Sequence, residues 1–428
     1  MDVKTIFSVL VVSLLCSAGV LAQNYIDYFN QGRTAFESGD NELFLENLIK
    51  SDSLRPNHRV ILFTLARAYA ENNREEKAFE VLKKVSSFYA SETILDSVSF
   101  SNLIEHEDWG RLAKNIKQAN QKIKSSELAF QLKPKNLHLE GIEYDAERDC
   151  FYLTDVRTGK IYKTDRNGSE LEVLTDLLAQ GYWAAMSAKT NPLNRQQLWV
   201  VSSAVSVLSG YDDSMEGKSA LLLVNKETGA VIEEYLPPVG NHLFGDLVIS
   251  SDGEVYISDS QVPKLFRLEK ANGEITEAFS HSDWWSLQGL TLSKDESKLY
   301  VSDYITGVFI INLDNGEIEP LIQKNELLRS TDGLYLKGNK LIAIQNGTLP
   351  IRISVINLDE EGVGIESSLR YLDQANEDLE EPTLGTWVDQ DLYYIGNSPW
   401  SYYNEDNTQK LEEWPLLKIM KLDGSKIE

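Results

Sequence analysis

Residues 137–155, LHLEGIEYDAERDCFYLTD, set a design that most of the chain repeats. The stretch opens on Glu140-Gly141, enters an alternating apolar run, turns through residues 145–149 and returns as a second run ending at Asp155. Asp246-Leu-Val-Ile-Ser-Ser-Asp-Gly leads in the same way to Tyr256-Ile-Ser-Asp259, and Gln288-Gly-Leu-Thr-Leu leads to Tyr300-Val-Ser-Asp303. Asp332-Gly-Leu-Tyr-Leu leads to Ala343-Ile-Gln-Asn346. Two looser copies run from Ala185-Met186 to Ser202 and from Glu381-Pro-Thr to Asn397. A self-similar unit with a period of about 40–50 residues marks a β-propeller, because one four-stranded unit cannot bury both of its faces alone. The copies predict six blades.

Turn chemistry supports the count. Asn167-Gly168, Thr228-Gly229, Asn272-Gly273 and Asn315-Gly316 sit between alternating runs, where an outer hairpin needs a residue that tolerates positive φ. The segment Ser126-Glu-Leu-Ala-Phe-Gln-Leu132 reads as an isolated strand with no neighbour to pair with, while the last unit ends at Glu428 one strand short. Pairing the two would close the ring and remove both exposed sheet edges.

Ahead of this region, residues 24–121 carry a helical period. Tyr28, Gly32, Gly39 and Pro56 fall at tetratricopeptide-like positions, and Leu62, Leu65, Ala66, Tyr69, Ala78 and Leu82 fall in phase about 34 residues later. A third helix pair is expected around residues 100–119. The expected fold is therefore an all-α tetratricopeptide-like repeat over residues 23–121, followed by an all-β six-bladed propeller over residues 125–428. Such stacks often present a concave docking surface, so a protein partner is one expectation for this segment.

The N-terminus predicts export. Lys4 precedes an apolar run from Ile6 to Leu15, and small residues lead up to Ala22, so residues 1–22 read as a signal peptide and the destination as the periplasm or the exterior. The run is too short for a comfortable membrane span. Removing it leaves Cys150 as the only cysteine and excludes an internal disulfide. At 428 residues the chain exceeds one ordinary domain, and its net charge of −25 argues against nucleic acid as a partner, since that binding rests on basic side chains.

Leu139-Glu140-Gly141, Gln288-Gly289-Leu290 and Asp332-Gly333-Leu334, each followed by an aromatic-bearing second strand, resemble the gluconolactonase and regucalcin family. The resemblance covers residues 125–428. It implies a six-bladed propeller with a divalent metal at the axis, held here by Glu140, Gln288 and Asp332, with Asp246 from a middle blade. Gln288 stands where that family has asparagine, and Ile142 where it has proline.

The residue types suit the same chemistry. Residues that open the first strand of each blade converge on the central channel. Three carboxylates and an amide make an oxygen set for Ca²⁺, with Mg²⁺ or Mn²⁺ next and Zn²⁺ less well served. The expected function is a metal-dependent hydrolase that opens a lactone, with Asp332 or Asp246 as ligand and general base. His242, Trp183 and Trp285 are the candidate substrate contacts. A non-catalytic ligand-binding propeller is the second expectation. The tyrosines and aspartates of the second strands, Tyr152 and Asp155 among them, read as blade architecture. There is no Gly-x-Ser-x-Gly elbow.

Overall fold

The computed structural model describes residues 21–96, 98–321, 328–367 and 369–428. The export signal expected over residues 1–22 lies outside these except for Leu21 and Ala22, and no described helix is long and apolar enough to cross a membrane.

Six antiparallel sheets follow one another in chain order. Blade 1 comprises Leu139–Asp145, Cys150–Asp155, Lys160–Asp165 and Leu171–Asp176. Blade 2 begins at Ala184–Thr190, blade 3 at Phe244–Ile249, blade 4 at Leu287–Leu292, blade 5 at Leu334–Lys337 and blade 6 at Gly385–Val388. First strands of blades 1 to 5 pack side by side in succession around the centre, and those of blades 6 and 1 also adjoin. The second strands of blades 1 to 5 are nearly all buried, between the first strand and the outer strands. Gly168, Gly229, Gly273 and Gly316 all adopt positive φ in the outer hairpins.

Ring closure matches the sequence expectation. Glu127–Gln131 pairs antiparallel with Lys418–Leu422 and supplies the fourth strand of blade 6. Phe130 stacks on Phe151 of blade 1 with ring centroids 5.7 Å apart. A feature the sequence did not reveal lies just upstream: Ile123–Lys124 adds a fifth strand to blade 5 by pairing with Asp373 and Gln374.

The second-strand aspartates are structural. Asp303 accepts from the backbone N–H groups of Trp285 and Ser286 on one side and of Ile305 and Thr306 on the other. It thereby ties the loop entering the first strand to the loop leaving the second. Asp155 and Asp259 make the corresponding bonds in blades 1 and 3. Such buried carboxylates are sustained by convergent donors.

Two antiparallel helix pairs precede the ring: α1 (Leu21–Glu37) with α2 (Asn41–Leu54), and α3 (Arg59–Glu71) with α4 (Glu75–Phe88). A Cβ at Gly32 would overlap Leu48, and Ala66 and Ala78 are fully buried, so small residues permit the close helix approach. The expected third pair is incomplete. Val98–Leu103 forms only a short 3₁₀ segment before α5 (Glu107–Ala119), consistent with the poor helix propensity of its serine- and valine-containing sequence.

Phe130→Ala should destabilise the ring by about 3–5 kcal/mol, because it empties a buried aromatic site on the closing strand. Equal denaturant midpoints for variant and native chain would count against that role. His58 offers a pH test. Burial, followed by the nearby Arg55 and Arg59, lowers its pKa to about 4. Its folded pKa lies below the unfolded value, so its contribution is present above about pH 6.5 and is lost as the pH falls toward 4. His58→Gln should flatten the loss of stability across that interval in urea titrations.

Candidate functional site

Local irregularity at the strand openings sets up the axial site. In blades 1 to 4 the pairing of the first strand with the second shifts register between Leu139 and Gly141, Ala185 and Ser187, Phe244 and Leu247, and Leu287 and Leu290. Bulges of this kind re-aim side chains. Glu140, Asp246 and Gln288 sit within three of these shifts.

Glu140 and Asp332 are each only 8% exposed and Asp246 6%. Their hydrogen bonds differ. Glu140 Oε2 accepts from the indole of Trp400 at 2.8 Å and from Ser398 at 3.3 Å. Asp246 Oδ1 accepts from Ser187 at 2.7 Å, and its Oδ2 accepts weakly from the Leu290 N–H at 3.4 Å. Asp332 Oδ2 accepts from the Asn346 amide at 2.7 Å. Gln288 donates to Ser286 at 3.1 Å, and its Oε1 accepts nothing among the described residues.

Electrostatics link these residues and add one more. Burial and then the Asp246 charge push Asp332 up to about 7, against the stabilising Asn346 bond. Burial, then Asp332 and Glu380, raise Glu381 to about 8. Glu140 is held well above the usual carboxylate range by burial first, with Asp332 and Glu381 adding to it. Asp332 is the hub. No basic group enters as a cause for any of these three carboxyls, so they repel one another in a low-dielectric space.

Tyr304 and Tyr335 complete the set. The Tyr304 hydroxyl pairs with Asn346 Oδ1 at 2.9 Å, giving a chain Tyr304–Asn346–Asp332. Tyr335 accepts the Gly385 N–H and lies within the influence of Asp246 and Asp332. Neither tyrosine nor Glu381 was singled out from sequence as a site residue. A signal was present in the repeat: blades 1, 3 and 4 end the second strand in aspartate, whereas blade 5 has Asn346, which bonds to Asp332 instead of clamping a loop.

The expected substrate contacts divide. Both ring nitrogens of His242 are engaged, Nδ1 with Asp259 at 2.7 Å and Nε2 with the Pro238 carbonyl at 3.0 Å, and the residue is buried. Trp183 is half-buried, with its N–H bonded to Ser202. The Trp285 ring lies under the Arg55 guanidinium at 5.0 Å. Among the described residues no three His, Cys, Asp or Glu side chains gather closely enough to enclose a metal ion. The oxygen-only donor set nevertheless fits a hard cation better than a soft one.

Fold and site together define a six-bladed propeller with a buried acidic axis. No protein-family model matches the sequence, and no curated protein matches it. Solved structures share the fold. A regucalcin from Agrobacterium tumefaciens, described as a calcium-binding protein, superposes with a TM-score of 0.50 at 11% identity, over 70% of this chain and 95% of its own. The PQQ-bound aldose sugar dehydrogenase of Streptomyces coelicolor also gives a TM-score of 0.50, at 10% identity, over 71% of this chain and 98% of its own. At these identities the likeness is one of fold.

Proposed function

We propose that the acidic axis binds a hard divalent cation, Ca²⁺ foremost, and that the protein uses it to open a lactone or related cyclic ester. The supporting observations are the burial of Glu140, Asp246 and Asp332 at the strand openings and the absence of a basic group among the influences that raise Glu140, Asp332 and Glu381. A cation would relieve their repulsion. Glu140, Asp246, Gln288 and Asp332 would hold it, and when bound it would polarise an ester carbonyl. With a cation bound, its charge would lower the Asp332 pKa, so that Asp332, oriented by Asn346, would act as an ionised ligand able to accept a proton. The calcium-binding description of the similarly folded regucalcin agrees with this proposal. Export to the periplasm or the exterior is part of the same proposal and rests on residues 1–22 alone.

A binding propeller without turnover is the second proposal. It is favoured by the engagement of both His242 nitrogens, which removes one expected substrate contact.

Calorimetry with calcium should show binding by the native chain and a loss of about 10- to 100-fold or more for Asp332→Ala. Hydrolysis of a lactone panel should fall in parallel. Native protein that binds no divalent cation would refute the metal site, and tight binding without hydrolysis would leave the second proposal standing.

A further inference from the structure

The turn between α2 and α3, Arg55-Pro-Asn-His-Arg59, lies against the propeller. Arg55 stacks over Trp285 at 5.0 Å, and the Asn57 amide donates to the Ile305 carbonyl at 3.4 Å. Beyond α4, the chain forms a short ladder with blade 5: Leu349 N–H donates to Phe88 at 2.9 Å, and Ala90 N–H donates to Leu349 at 2.7 Å. Trp285 precedes a first strand, whereas Ile305 and Leu349 follow second strands. In an antiparallel blade these loops share one face, the face at which Glu140, Asp332 and Glu381 open.

Arg59 stands out within this contact. Its guanidinium stacks on Tyr89 at 5.0 Å, and Tyr89 bridges in parallel to Leu349. That loop also holds Gly347, where a Cβ would overlap the Tyr304 hydroxyl. Tyr304 then bonds to Asn346, and Asn346 to Asp332, so a continuous chain of contacts runs from Arg59 to the acidic axis. Tyr304 registers the charges at both ends, with Glu381, Asp332 and Glu140 opposing Arg59. Arg59 is half-buried, and among the described residues its guanidinium makes no hydrogen bond or ion pair. Among the described residues no carboxylate pairs with this cation, although acidic side chains lie close by at the axis.

We propose that the helical segment forms the second wall of the axial site, and that Arg59 binds a carboxylate at the far end of the ligand, which makes the ligand a dicarboxylic acid or its lactone. This specificity rests on the proposed axial site. The acidic axis repels an anion unless a cation is bound, so an anionic group remote from the reacting carbonyl needs its own partner at the rim. A guanidinium fixed by stacking presents a planar fork matched to a carboxylate and loses little freedom on binding. The body of the ligand would then lie between Arg59 and the axial oxygens.

D-glucarate and D-gluconate provide a matched pair, differing only in a terminal carboxylate against a CH₂OH. With the full, calcium-loaded chain, calorimetry should show glucarate bound about tenfold or more tightly than gluconate, the scale of a charged hydrogen bond. Arg59→Gln should abolish that preference while retaining calcium binding, and Arg59→Lys, which keeps the charge but not the fork, should retain part of it. Comparing the preference between native and variant cancels any binding of the acids to calcium in solution. An undiminished preference in Arg59→Gln, or in Arg59→Lys a preference equal to that of the native chain, overturns the role of Arg59. Calcium binding with no preference for glucarate in the native chain overturns the ligand class and leaves the axial cation in place. A native chain that binds neither calcium nor either acid removes the axial site as well.

Discussion

Pairing of Glu127–Gln131 with Lys418–Leu422 is the constraint on which the rest of the structure depends. An open ring of blades would expose a sheet edge at each end and leave its first strands free to splay. Closure forces those strands toward a common centre, and only then do the side chains that open them share one space. The same segment fixes the helices. Ile123–Lys124 pairs with blade 5, and the Gln374 amide donates to the carbonyls of Gln118 and Gln121, so the chain leaving α5 is bound to the propeller at once. The short tether helps to hold the helical segment over blades 4 and 5.

What the sequence disclosed follows from periodicity. Repeated aspartates, turn glycines and alternating strands report local geometry that recurs in every blade, so the blade count, the closing strand and the structural role of Asp155, Asp259 and Asp303 were all legible. The opening positions of Glu140, Asp246, Gln288 and Asp332 were legible for the same reason. Features that occur once were not. Ile123–Lys124 is too short to carry an alternation, and Glu381, although it opens the sixth copy, precedes its strand by several residues, so its part in the site was not legible. Tyr304 and Asn346 acquire their roles through a contact between blades 4 and 5. Arg59, in the role proposed for it, would come from a different segment altogether, and no spacing in a single sequence encodes that.

The axial carboxyls run against the logic of a stable interior. Burying like-charged groups without a cationic partner costs stability, and the fold meets that cost only in part, through one or two donors to each carboxyl, among them Trp400, Asn346 and Ser187. Elsewhere the same fold handles buried acids differently. Asp303 collects several backbone donors, and Asp145 holds a fully buried Lys226 at 2.9 Å. The chain therefore satisfies buried carboxylates well where they serve architecture. Like-charged carboxyls gathered at the axis with few donors are the pattern expected where stability has been exchanged for binding.

The boundary between helices and propeller carries the same mark. Asp52 Oδ1, His58 Nδ1 and Arg329 Nε are buried there without hydrogen-bond partners among the described residues, although Asp52 and Arg329 influence each other electrostatically. A boundary serving only to attach two segments would be expected to satisfy or expose such groups. Attachment instead comes from the backbone ladder through Phe88, Leu349 and Ala90 and from cation–aromatic stacking of Arg55 on Trp285 and Arg329 on Phe88. These contacts anchor the turn at its edges and leave Arg59 without an ionic partner among the described residues, which is the condition a ligand-binding cation requires.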